Sequence, residues 1–112
     1  LRFFETLFLE QTEKFFDSLD RKVVEKILYL IDLAEQTKDP KLFKKLNKDI
    51  WEFRIHYSGL PIRLLAFWDS STQKQSLVIA THGFIKKTDK VTIKEIKKAE
   101  QIKRNYLASK NQ

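Results

Sequence analysis

Two runs of this chain are apolar on both faces of any strand they would form. Pro61 to Asp69, "PIRLLAFWD", and Leu77 to Phe84, "LVIATHGF", offer no solvated side. Successive side chains of a strand point to opposite faces, so a run without alternation must be covered from both sides. A third run, Asp49 to Tyr57, does alternate. It puts Glu52, Arg54 and His56 on one face and Trp51, Phe53, Ile55 and Tyr57 on the other. Ser58-Gly59-Leu60 reads as the turn between this run and the next, and the polar, serine-rich Asp69 to Gln75 joins the last two. Such short connections predict an antiparallel meander. The layers that cover it have to come from the rest of the chain.

Helical patterns lie on either side of the meander. From Gln11 the apolar period changes, and Phe15, Phe16, Leu19, Val23, Ile27, Leu30, Ile31 and Ala34 follow helical spacing. A break near Ser18 to Asp20 predicts a short helix and then a longer one capped by Asp20. After the meander, Thr92 and Glu95 have the spacing of a capping box. Ile93, Ile96, Ala99, Ile102, Tyr106 and Leu107 form an apolar stripe, with Lys94, Lys97, Lys98, Lys103 and Arg104 around it. This predicts a basic amphipathic helix from Thr92 to about Ala108. "RFFETLFL", Arg2 to Leu9, reads as a first strand. Asp39-Pro40 reads as the start of one or two helical turns over "PKLFKKL". The order β-α-α-β-β-β-α predicts an α+β fold in one domain spanning residues 1–112, an antiparallel sheet flanked by helices.

Several chemistries have no residues to carry them. With no cysteine there is no disulfide framework or thiolate site, which fits a reducing cytoplasm. No Gly-rich nucleotide cradle and no nucleophile elbow occurs. His56 and His82 lie on different strands without a carboxylate cluster, so no metal centre or other cofactor is expected. No apolar run reaches membrane-span length, and no basic-then-apolar signal pattern opens the chain. The formal net charge is +7. A small domain this basic is drawn to polyanions: RNA, DNA, an anionic membrane or an acidic protein.

The candidate site residues are therefore cationic. Arg54 and His56 share a strand face, where Arg54 either pairs with Glu52 or another carboxylate or faces a ligand. Arg63 stands inside a run that otherwise reads as buried. A buried guanidinium requires a partner, so it either bridges a carboxylate or lines a cleft that receives an anion. Lys86, Lys87 and Lys90 follow the last strand. They are either a solvated strand end or, with His82 and the N–H groups of the last helix, a phosphate site.

From Ile50 to Leu107 the segments "IWEFRIHYSGLPIRLLAFWD", "LVIATHGFIKKTDK" and "EIKKAEQIKRNYL" resemble the RelE/HigB family of bacterial toxins, most closely its HigB-like, phage-derived branch. The resemblance implies a RelE-like fold with a curved antiparallel sheet. It implies an endoribonuclease that cuts mRNA in the ribosomal A site and thereby inhibits translation. It also implies a cognate antitoxin, in this branch often a helix-turn-helix protein, and a cytoplasmic location. Carried over by motif, the site falls on Arg54, His56, Arg63, Lys86 and Lys87, with Lys90 nearby. His82 matches the histidine of the H-G-F segment without an assigned role.

Two departures stand out. Members have Thr-Pro before the last helix where this chain has Val91-Thr92. Many also use a C-terminal tyrosine or histidine, whereas Tyr106 sits within the helical stripe. The expected chemistry is metal-independent attack by the 2′-hydroxyl. Arg54 and Arg63 would stabilise charge, and His56 would act as general base, since imidazole titrates near neutral pH. Lys86 or Lys87 would bind phosphate, and Lys94, Lys97 and Lys98 would add attraction for RNA. Two other readings stay open: a ParE-like inhibitor of gyrase that cuts no RNA, and a basic binding module without enzymatic activity.

Overall fold

A computed structural model describes residues 1–71 and 76–110. In chain order the elements are β1 (Glu5–Phe8), α1 (Glu10–Asp17), α2 (Arg21–Thr37), β2 (Phe43–Lys45), β3 (Trp51–Tyr57), β4 (Leu60–Asp69), β5 (Leu77–Ile85) and α3 (Ile93–Lys110). The strands form one sheet in the order β1-β5-β4-β3-β2. The fold is α+β, as the alternation of element types predicts. Ser58 and Gly59, with φ of 53° and 75°, make the two-residue turn that pairs Tyr57 with Leu60. Positive φ at both positions matches the strand twist, and glycine takes it without strain.

The run that lacks alternation occupies the centre of the sheet. On β4, Ile62 to Phe67 are all buried. One face packs under α1 and α2, where Val23, Ile27, Ile31 and Ala34 meet Phe53, Ile55, Ile62, Leu64, Ala66 and Val78. The other face packs under α3, where Ala99, Ile96 and Tyr106 meet Leu65, Phe67 and Ile79. A register shift falls at Leu65/Ala66: Leu65 opposes His82 and Ala66 opposes Ala80, which leaves Thr81 as the extra residue. Its hydroxyl donates to the Leu65 carbonyl at 3.1 Å, so the buried polar group is satisfied.

Three features depart from the sequence expectations. The helical turns expected after Asp39-Pro40 are instead a turn followed by β2. Asp39 accepts the Lys41 N–H at 2.9 Å, and its carbonyl accepts from Leu42 and Phe43. Proline's fixed φ suits a turn as well as a helix start. Phe43 then gains a buried place against Trp51, ring centroids 4.9 Å apart. The sheet is also mixed, because β1 pairs in parallel with β5. Finally, Ile93 heads the expected apolar stripe of α3 but is 71% exposed. The expected connection Asp69 to Gln75 lies partly outside the described residues.

Polar contacts tie down both ends of α3. At its start, the Thr92 hydroxyl accepts the Glu95 N–H at 3.4 Å. The Glu95 carboxylate does not return to Thr92; it lies 3.1 Å from His82 Nε2 on β5. Half of the predicted capping box is thus redirected to the sheet. At the other end, Asp69 closes β4 and is buried. Its Oδ2 accepts from the Tyr106 hydroxyl and from Lys110 Nζ, each at 2.8 Å, and its Oδ1 accepts the Ser71 N–H at 2.9 Å. Burial alone would raise the Asp69 pKa, but the bonds from Lys110, Ser71 and Tyr106 outweigh it and hold the carboxyl well below the usual range.

Two outcomes follow for stability. A Cβ at Gly83 would lie 2.5 Å from a Leu64 methyl carbon and 2.7 Å from a Phe15 ring carbon. Gly83→Ala therefore overpacks the α1 contact and costs about 1–3 kcal/mol in denaturant unfolding, with the slope unchanged. Asp69→Asn costs about 1–3 kcal/mol at neutral pH. The folded pKa of Asp69 lies below the unfolded one, so this stability is present above roughly pH 4 and is lost as pH falls toward the folded pKa. Unfolding midpoints of wild type and Asp69→Asn should therefore converge on acidification.

Candidate functional site

Arg54 and Arg63 are direct cross-strand partners on β3 and β4. Two like charges in that position repel each other, and a compensating charge is needed. Glu52, two residues before Arg54 and on the same face, supplies it. Its Oε1 lies 3.1 Å from Arg63 Nε, and the two side chains are only 7% and 8% exposed. The approach is off the hydrogen-bond axis, and Oε1 is buried with no hydrogen-bond partner among the described residues. Arg63 Nη1 donates to the Ile62 carbonyl at 3.0 Å. Burial lowers the Arg63 pKa, Glu52 opposes that shift, and Arg54 adds to it. Of the two alternatives for Arg63, the carboxylate bridge is present, and the side chain also lines a cleft. Arg54, for which pairing with Glu52 or another carboxylate was one of two readings, has no carboxylate within ion-pair distance among the described residues.

The cleft, of about 350 Å³, lies on the α3 side of the sheet, beside that helix. Its cations come from separate elements: Lys44 on β2, Arg54 on β3, Arg63 on β4, and Lys86 and Lys90 after β5. Glu52 and Asp89 are its acidic members. Lys86 Nζ donates to the Asp89 carbonyl at 3.1 Å, which holds the ammonium at the wall. Arg54 and Arg63 also line a neighbouring depression of about 260 Å³, together with Lys41, Ile55 and His56. Phosphate is bound well where arginine forks and ammonium groups converge with little opposing charge.

The predicted residues separate into groups. Arg54, Arg63, Lys86 and Lys90 share the cleft. His56 is exposed and lines the depression that it shares with the two arginines. Lys87 is exposed and lines the adjoining cleft, which shares Lys86 and Lys90. Lys94, Lys97 and Lys98 are exposed on α3 and line none of these three cavities. His82 is elsewhere: 2% exposed, it lies between Thr81 Oγ1 and the Glu95 carboxylate, 3.1 Å from each, and stacks on Phe84. Burial lowers its pKa; the Glu95 bond opposes that, and Lys98 reinforces it. It links β5 to α3.

Sequence reasoning missed Lys44, because its segment was read as helical. The strand is only three residues long, with Phe43 buried and both lysines exposed, so no alternation marked it. Among the described residues no group of three or more His, Asp or Glu side chains is placed to hold a metal ion. Among the described residues no helix is long and apolar enough to cross a membrane.

The fold has a counterpart among solved structures. A chain of the toxin–antitoxin complex RelBE2 from Mycobacterium tuberculosis superposes with a TM-score of 0.58 at 11% sequence identity, covering 77% of this chain and 100% of that one. At that identity the likeness speaks for the fold. No curated protein matches the sequence. A family profile does match, from residue 14 to residue 104. The chain therefore belongs to the family described as Phage derived protein Gp49-like (DUF891).

Proposed function

We propose that this protein is the toxin of a toxin–antitoxin pair, of the HigB-like branch, and that it is a ribosome-dependent endoribonuclease acting on mRNA. The observation that carries the reading is the convergence of Arg54, Arg63, Lys86 and Lys90, from two strands and a loop, on one cleft. A scattered basic surface would serve a gyrase-binding toxin or a passive RNA-binding module equally well. A cleft with two arginines side by side suits a phosphorane-like transition state. The likeness to a chain of a toxin–antitoxin complex supports a cognate antitoxin as partner. In this branch that partner is a helix-turn-helix protein, and both act in the cytoplasm.

In the reaction, the ribose 2′-oxygen attacks the adjacent phosphorus. The P–O2′ bond forms and the P–O5′ bond breaks, leaving a 2′,3′-cyclic phosphate and a 5′-hydroxyl. His56, which shares a depression with the two arginines, takes the 2′-hydroxyl proton. Arg54 and Arg63 neutralise the charge that grows on the nonbridging oxygens, with Arg63 aimed by Glu52 and the Ile62 carbonyl. Lys86 or Lys87 holds the phosphate and returns a proton to the leaving oxygen. Lys90 holds the neighbouring phosphate, and Lys94, Lys97 and Lys98 add a salt-sensitive attraction for RNA. His82 carries no proton in this scheme.

Induced expression in bacteria, with mapping of 5′-hydroxyl ends on ribosome-bound mRNA, tests the proposal. Wild type should arrest growth and leave such ends inside translated messages. Arg54→Ala and Arg63→Lys should each lower cleavage about 100-fold, because a lysine cannot reproduce the guanidinium fork. Growth arrest with intact mRNA would point to a gyrase-type inhibitor. Unimpaired growth would point to a binding module.

A further inference from the structure

Next to the cationic cleft lies a second cleft of about 450 Å³ with different walls. Phe15 from α1 and Phe84 and Ile85 from β5 form its apolar side, and both phenylalanines are half-buried rather than closed off in the core. Lys86, Lys90 and Val91 belong to both clefts. The aromatic cleft and the phosphate-sized one therefore adjoin at the residues they share.

That juxtaposition matches one kind of ligand. A nucleotide is a flat aromatic ring joined through a sugar to a phosphate. Its phosphate needs fixed cations, and its base needs an apolar face to stack on. Phe84 is held in place by His82, with ring centroids 5.7 Å apart and planes at 29°. His82 is in turn held by Glu95 and Thr81. The site thus has a supported aromatic face rather than a mobile one. Gly83 keeps the wall close, because a side chain there would push Phe15 away. Glu95 also lines the cleft. A carboxylate accepts hydrogen bonds and donates none, so it favours a base edge that carries an exocyclic amine.

We infer that the Phe15–Phe84 cleft is a nucleobase-binding site, which receives the base next to the phosphate held by Arg54, Arg63, Lys86 and Lys90. This gives the buried His82 a purpose: it is a positioning residue for the stacking face. The inference rests on the RNA reading above, and the two are separable by experiment.

The test is binding to full-length protein of uncleavable 2′-O-methyl adenine hexamers. One is intact, and the others carry a single abasic position. Affinity is read by titration, with amide shifts recorded by NMR. The intact hexamer should bind at least fivefold tighter than one of the abasic forms, with shifts at Phe15, Phe84 and Val91. Phe84→Leu keeps an apolar side chain in place and removes the ring, and should narrow that ratio to less than twofold. Phe15→Leu serves as a second variant and should narrow it as well. Equal binding of intact and all abasic hexamers, with shifts at Arg54 and Lys86, would overturn the base site and leave the phosphate cleft standing. No binding of any hexamer would overturn the base site, and the mapping of ribosome-bound mRNA would then decide the ribonuclease reading separately.

Discussion

The third helix covers only part of the sheet face it lies on, and the rest of the molecule depends on which part that is. Two helices, α1 and α2, seal one face. A single helix remains for the other. It packs over Leu65, Phe67 and Ile79 and leaves the Arg54, His56 and Arg63 region open. Two polar anchors fix its position: His82 with Glu95 near its start, and Asp69 with Tyr106 and Lys110 at its end. Hydrophobic packing is non-directional and would tolerate a helix slid along the sheet. Buried hydrogen bonds are directional, and leaving Asp69 or His82 unsatisfied is costly. The anchors therefore determine where the cleft opens.

The open region explains the placement of the ion pair. Burying an arginine is unfavourable unless its charge is met, and Glu52 meets it from the adjacent strand. The cost of desolvation goes into orientation: Nε faces Glu52 and Nη1 is bonded to the Ile62 carbonyl, so the guanidinium has little freedom. Arg54, opposite and with no carboxylate at ion-pair distance among the described residues, is half-exposed. One arginine is held fixed and one is freer, with lysines from β2 and from the loop after β5 around them. The result is a pocket of fixed positive charge rather than a diffuse basic surface.

Much of this was legible in the sequence because it depends on local pattern. The missing alternation in "PIRLLAFWD" identified the central strand, and Ser58-Gly59 identified the hairpin. The period change at Gln11 and the break at Ser18 to Asp20 gave the two helices. What stayed hidden depends on contacts distant in sequence. The parallel pairing of β1 with β5 joins residues about seventy positions apart, and no local pattern reports it. Pro40 satisfied the sequence rule for a helix start, but burial of Phe43 against Trp51 favoured a strand. Glu52 lies two residues from Arg54 yet pairs across the sheet with Arg63, because register, not spacing, sets the neighbour. Glu95 fitted a capping box and instead reached His82, the one residue whose role the motif alone left open.

The proposed ribonuclease requires the cleft at the edge of α3, rather than the lysine-covered outer face of α3, to receive RNA. Photo-crosslinking tests it most directly, with a short uncleavable RNA carrying a photoreactive group on one backbone phosphate and the attachment sites read by mass spectrometry. The account predicts adducts on the peptides that carry Arg54, Arg63 and Lys86. Adducts confined to the peptides that carry Lys94, Lys97, Lys98 and Lys103 would contradict it.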